Sequence, residues 1–128
     1  MSITFYGTGG TGAGGQPLPF AHAVEADGWL YVSGQVAMEN VEIISGGIVP
    51  EAHKTMENVL AILKEAGYGP EDVVRCGVWL GDPRDFWTFN KIYAQYFGAS
   101  PPARACIQSA MMVGCKVEVE CVAHRKKN

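Results

Sequence analysis

The residue of this chain best suited to gripping an anion is an arginine that opens a strand behind two prolines. Arg104 follows Pro101-Pro102-Ala103, a stretch of low backbone freedom, and has apolar neighbours. Its planar guanidinium matches a carboxylate with two parallel hydrogen bonds and stays charged at any useful pH. The sequence leaves a plainer alternative open: a surface arginine at a strand end, or a structural ion pair with Glu118 or Glu120. Those two glutamates alternate with Val117, Val119 and Cys121 and so share one strand face. They form a solvated face, or one of them moves a proton beside a bound ligand. Cys106 lies two residues beyond Arg104 and points the same way. It is a candidate nucleophile whose one evident basic neighbour is Arg104 itself. Ser33, next to Gly34, offers a hydroxyl at a strand end, but no His/Asp set accompanies it as a triad.

Other chemistries are poorly served. His22, His53 and His124 lack metal-ligand spacing and no H-E-x-x-H occurs, so no metal site is expected. The run from Gly7 to Gly15 has the glycines of a phosphate cradle. Pro17 and Pro19 follow it instead of a helix, and the Lys-Ser/Thr pair of a nucleotide loop is missing. It reads as a loop. The four cysteines, Cys76, Cys106, Cys115 and Cys121, form no C-x-x-C pair and read as small buried hydrophobes in a reducing compartment.

The elements that must position these groups follow from periodicity and turn chemistry. Strands are expected at Ile3 to Tyr6, Phe20 to Ala26 and Trp29 to Ser33, with Asp27-Gly28 turning a hairpin. Gly34 marks a bulge or a close backbone approach. A short strand covers Val41 to Ile44. Ala52, Met56, Val59, Leu60 and Leu63 recur at helical spacing after Pro50, and Gly67 stops that helix. Val73 to Leu80 is a buried strand. Asp82 caps a second helix, with Pro83 at its first position and Phe86, Phe89, Tyr93 and Phe97 on its apolar face. Strands Arg104 to Met112 and Lys116 to His124 complete the chain. The order predicts an α+β two-layer sandwich, a mixed sheet with both helices on one face. The other sheet face, half polar, points to self-association.

At 128 residues the chain fits one domain, 1–128, with a glycine-rich N-terminal segment over 1–18. A net charge of −3 and scattered basic residues, apart from Arg125, Lys126 and Lys127, argue against a nucleic-acid partner. No signal peptide and no membrane span is read, so a cytoplasmic protein is expected.

Several segments in order resemble the Rid family, also called YjgF/RidA, from about Pro19 to Ala123. They are Pro19-Phe-Ala-His-Ala-Val24, Trp29-Leu-Tyr-Val-Ser-Gly-Gln35, Thr55-Met-Glu-Asn-Val-Leu60 and Asp85-Phe86 with Asn90-Lys-Ile-Tyr93 and Tyr96-Phe97. Pro102-Ala-Arg-Ala-Cys106 and Val117-Glu-Val-Glu120 complete the set. The resemblance implies a chorismate-mutase-like fold and a homotrimer with pockets between subunits. It implies cofactor-independent hydrolysis of reactive imines and enamines to 2-keto acids and ammonia. By that likeness Arg104 grips the substrate carboxylate, Glu118 stands near the attacking water, and Ser33, Gly34 and Cys106 line the pocket. Phe20 takes the place of a tyrosine in the archetypal deaminases. It keeps an apolar wall but loses a phenol that could hold a water or the imine nitrogen. Two other readings remain: a module that binds 2-keto acids or other small carboxylates without turnover, and the endoribonuclease or translation-inhibitor role of some family members. A redox-triggered holdase role lies beyond what the sequence decides.

Overall fold

The computed structural model describes residues 2–125; Lys126 and Lys127 of the basic run lie outside them. In chain order the strands and helices are β1 Ile3–Tyr6, β2 Ala23–Ala26, β3 Trp29–Gln35, β4 Met38–Glu39, β5 Glu42–Ile43, α1 Ile48–Glu65, β6 Val73–Leu80, α2 Phe86–Phe97, β7 Ala103–Gln108 and β8 Val117–His124. Six strands form one sheet in the order β1-β2-β3-β8-β6-β7, and β4 with β5 forms a separate two-residue ladder. All neighbours in the large sheet are antiparallel except β6 and β7, which run parallel and are joined through α2. A parallel pair needs such a crossover, because a tight hairpin can only reverse the chain. The expected α+β sandwich, with both helices on one face of a mixed sheet, is what forms.

Alternation along β8 builds the core. Val117, Val119, Cys121 and Ala123 are buried beneath the helices, while Glu118 and Glu120 point to the opposite face. Cys76, Val78 and Leu80 of β6 lie opposite Cys121, Val119 and Val117 and extend the same apolar layer. From α1, Ala52, Met56, Val59 and Leu63 meet it as the periodicity predicts, and Leu60 is partly buried at its rim. The helix closes with a Schellman motif. Gly67 adopts φ 84°, its N–H donates to the Lys64 carbonyl at 3.0 Å, and the Tyr68 N–H donates to Leu63 at 2.8 Å.

Several boundaries differ from expectation, the clearest of them for local reasons. The strand expected from Phe20 begins at Ala23, because the Ala21 carbonyl is taken by the Ser33 hydroxyl at 2.7 Å instead of by a ladder. The strand expected to reach Met112 ends at Gln108, opposite Leu80, where β6 itself ends and gives way to Gly81-Asp82-Pro83. The strand expected over Val41 to Ile44 shortens to Glu42–Ile43, because Asn40 and Val41 turn a hairpin with φ of 52° and 61°. That left-handed pair suits a two-residue turn and is costly for a β-branched valine. Asp82 accepts from the Arg84 N–H at 2.9 Å, as a cap should. The turn it caps, Pro83–Asp85, is a 3₁₀ turn that leads into α2.

Arg125 is engaged inside the domain. It donates to Glu25 Oε1 at 3.1 Å and to the Ala66 carbonyl at 3.1 Å, and lies 4.7 Å from the Tyr68 ring centre. The Tyr68 hydroxyl donates to the same Glu25 oxygen at 2.6 Å, and its pKa is pushed up to about 12 by burial and by that bond. Truncating Arg125 to alanine is expected to cost about 1 kcal/mol, since the pair is partly exposed and screened by solvent. The urea midpoint should fall, and the gap to wild type should narrow in high salt; an unchanged midpoint would contradict this. Among the described residues no helix is long and apolar enough to cross a membrane.

Candidate functional site

The groups with chemical potential fall into two places. The first is the edge strand β7. Arg104 sits opposite Cys76 and Cys106 opposite Val78, so both side chains project to the helix side of the sheet, as their spacing implies. Arg104 is half-buried there against aromatic rings of α2: Phe86, Phe89 and Tyr93, at 4.9–5.9 Å from its guanidinium carbon to the ring centres. Among the described residues no carboxylate lies within ion-pairing distance of it. The ion pair with Glu118 or Glu120 that the sequence left open does not form, because those side chains leave the opposite face of the sheet. The cation nearest Glu120 is Arg75, at 4.0 Å. Burial pushes the Cys106 thiol up, with the charge of Arg104 pulling weakly the other way. A protonated thiol is a poor nucleophile, which counts against Cys106 as an attacking group.

The second place is a cleft of about 680 Å³ whose lining includes Phe20, His22, Gly34, Asn58, Met112 and Glu118. That volume lies within the usual range for small-molecule sites. The β3–β8 register shifts between Val32 and Gln35, which makes Gly34 part of a bulge. A Cβ at Gly34 would run into the Glu118 carboxylate, so glycine here is what lets that acid lie over the strand. Burial, and then the neighbouring Glu120, raise the Glu118 pKa above its ordinary value. An upward shift makes the carboxylate a stronger base for proton exchange than an ordinary glutamate. Phe20 is half exposed at the cleft wall. Ser33 faces an adjoining hollow, also lined by Leu18 and Phe20, with its proton committed to Ala21 and its oxygen able to accept.

Within one chain, then, Phe20, Gly34 and Glu118 come together and Ser33 lies beside them, while Arg104 and Cys106 stand apart. His22, Gln35 and Asn58 join the cleft; all three stand in the segments that carry the family resemblance, but sequence alone gives none of them a site role. Asn58 Nδ2 donates to the Val36 and Met38 carbonyls at 2.9 and 3.2 Å, tying α1 to the segment after β3. The signals available for it were its helical position, one residue before Val59, and its place in the Thr55–Leu60 segment. No His/Cys/Asp/Glu group able to hold a metal ion occurs among the described residues.

The raised pKa of Glu118 has a sign that can be checked. The folded chain binds this proton more tightly than the unfolded chain. The group therefore favours folding below the ordinary carboxylate value, and that contribution is lost as pH rises through the elevated one. Glu118→Gln is expected to gain stability over wild type on going from about pH 4 to about pH 7. Parallel urea midpoints that keep a constant offset would contradict the assignment.

The Endoribonuclease L-PSP family model matches residues 15–125. The human 2-iminobutanoate/2-iminopropanoate deaminase is 42% identical over 108 residues, covering 82% of this chain and 79% of its own. A RutC family protein of Pyrococcus horikoshii is 35% identical over 111 residues, covering 84% of this chain and 88% of its own. The crystal structure of RidA from an Antarctic Psychrobacter superposes with a TM-score of 0.83 at 30% identity, covering 94% of this chain and 98% of that one. A family match over most of the chain, with relatives above 40% identity, leaves one conclusion: this chain belongs to the Endoribonuclease L-PSP family, the YjgF/Rid proteins.

Proposed function

We propose that this chain hydrolyses reactive 2-imino and enamine acids to 2-keto acids and ammonia, with Arg104 holding the carboxylate at a junction between two copies. The observation that carries this reading is a half-buried guanidinium on an unpaired sheet edge with no acid among the described residues to satisfy it. Such a charge is a receptor for an anionic ligand. The deaminase relatives support the choice of an imino acid as that ligand.

Arg104 and Glu118 leave opposite faces of one sheet, so a site that uses both takes them from different copies. The sheet face away from the helices exposes Ile3, Phe5, Trp29, Tyr31 and Ile107. An apolar face of this kind suits self-association, and the family likeness points to a trimer. In the assembled site Arg104 would fix the imine carbon by its carboxylate. Glu118 of the facing copy takes a proton from water as the oxygen bonds to that carbon. It returns that proton to the nitrogen, giving a carbinolamine, and then carries the new hydroxyl proton to the same nitrogen as the carbon–nitrogen bond breaks, which releases ammonia and leaves the keto group. Ser33 and the Gly34 backbone contact the bound acid, and Phe20 and Cys106 exclude solvent. Positioning and one acid/base group supply roughly 10²–10⁴-fold, enough for a substrate that already hydrolyses in water.

The test generates imino acids in situ with an amino-acid oxidase and follows ammonia. Release above the buffer rate is expected; buffer-level release across small, branched and aromatic imino acids would end the reading. Phe20, with no phenol to hold a water, favours one rival. In that rival the cleft binds 2-keto acids without turnover, and calorimetric binding of 2-ketobutyrate without ammonia release would establish it.

A further inference from the structure

Arg104 is held by rings where an acid would be the ordinary partner. Its guanidinium carbon lies 4.9 Å from the Tyr93 ring centre, 5.7 Å from Phe86 and 5.9 Å from Phe89. Positions 86, 89 and 93 fall on one face of α2, so a single helix presents all three. Phe89 and Tyr93 brace each other with ring centres 5.5 Å apart, and Tyr93 and Phe97 do so at 4.9 Å. The Tyr93 hydroxyl is buried without a well-formed hydrogen bond, the Cys76 thiol lying beside it. Nothing therefore ties this residue to the site through its oxygen. What it offers Arg104 is a ring face.

The choice of rings has a chemical consequence. An aspartate or glutamate could fix the guanidinium as firmly, but it would occupy the fork that a ligand carboxylate needs. A ring face attracts the cation through its quadrupole and uses none of the five N–H donors. The aromatic bed also removes water from one side of the guanidinium and leaves the edge free to receive an anion.

We propose that Tyr93 and Phe86 are positioning residues whose ring faces orient the Arg104 guanidinium toward the ligand carboxylate while leaving its donors unspent. This rests on the carboxylate-binding reading above, and deepens it by assigning the groups that aim the arginine. Neither residue touches the reacting atoms, so loss of either ring should weaken carboxylate capture more than it slows the chemical step.

The experiment compares wild type, Tyr93→Phe, Tyr93→Leu and Phe86→Leu. It measures ammonia release from an oxidase-generated imino acid, calorimetric binding of 2-ketobutyrate, thermal unfolding, and the Arg104 Nε–H resonance, which ring currents displace. Tyr93→Phe keeps the ring and should behave as wild type. Tyr93→Leu and Phe86→Leu should raise KM and the 2-ketobutyrate Kd roughly five- to tenfold, with kcat changed by less than about twofold. The Arg104 resonance should move in both. Phe86 is only partly buried, so its variant stays informative if Tyr93→Leu unfolds. Folded leucine variants with wild-type KM, Kd and resonance would overturn the proposal, as would a Tyr93→Phe loss equal to that of Tyr93→Leu. Wild-type protein that neither releases ammonia nor binds the keto acid would instead sink the functional reading. The resonance would still show whether the rings hold the arginine.

Discussion

Arg104→Ala is expected to lower kcat/KM for imine hydrolysis by at least roughly 10²-fold and to abolish millimolar binding of 2-ketobutyrate. Truncating one member of a buried, hydrogen-bonded charge pair costs about 2–5 kcal/mol, and each ~1.4 kcal/mol is tenfold. The fold should survive the change, because among the described residues the side chain has no acid partner whose charge would be left stranded. What it loses is contact with three rings on α2, each worth about 0.5–1 kcal/mol at a partly exposed site. Lysine at the same position keeps the charge but presents a point donor in place of a fork, so it should restore only part of the affinity. Ammonia release and calorimetry on folded variants decide the matter. An alanine variant that turns over at the wild-type rate would remove Arg104 from the site.

Phe89→Ala should have the largest effect on stability, about 3–5 kcal/mol. Phe89 is fully buried, and its ring packs on Tyr93 with centres 5.5 Å apart. A domain of ordinary stability has only about 5–15 kcal/mol in total, so the variant should be partly unfolded near physiological temperature. Its cavity would open directly beneath the Arg104 guanidinium, 5.9 Å away. Phe89→Leu fills most of that space and should recover much of the loss. Urea unfolding measures both, and an alanine midpoint close to wild type would show that α2 is not seated on the sheet as described.

The architecture was legible because alternation and helical spacing are strong where a face is buried. Along β8, Val117, Val119, Cys121 and Ala123 announce the core face residue by residue, and α1 carries an equally plain stripe. Boundaries were harder where partners decide them. β7 stops at Gln108 because β6 stops at Leu80, a fact carried by another segment. Phe20 reads as a strand residue until Ser33 is seen to claim the Ala21 carbonyl.

The site was legible residue by residue but not as an arrangement. The shared direction of Arg104 and Cys106 follows from the two-residue repeat of a strand. That Arg104 and Glu118 leave opposite faces depends on the pairing of β7 with β6 and of β6 with β8, which no local pattern states. The aromatic residues around Arg104 read from the sequence as ordinary core, which they also are. Their second contact needs β7 laid parallel to β6 beneath α2.

The place of β8 in the sheet bears on how the molecule is made. It is the last strand in sequence, yet it lies between β3 and β6, and nothing else in the sheet joins the β1–β3 half to the β6–β7 half. A chain without residues 117–124 therefore holds the β1–β3 meander, the parallel β6–α2–β7 unit and α1 without the strand that joins the two halves. The six-stranded sheet cannot close until residues 117–124 pair with β3 on one side and β6 on the other.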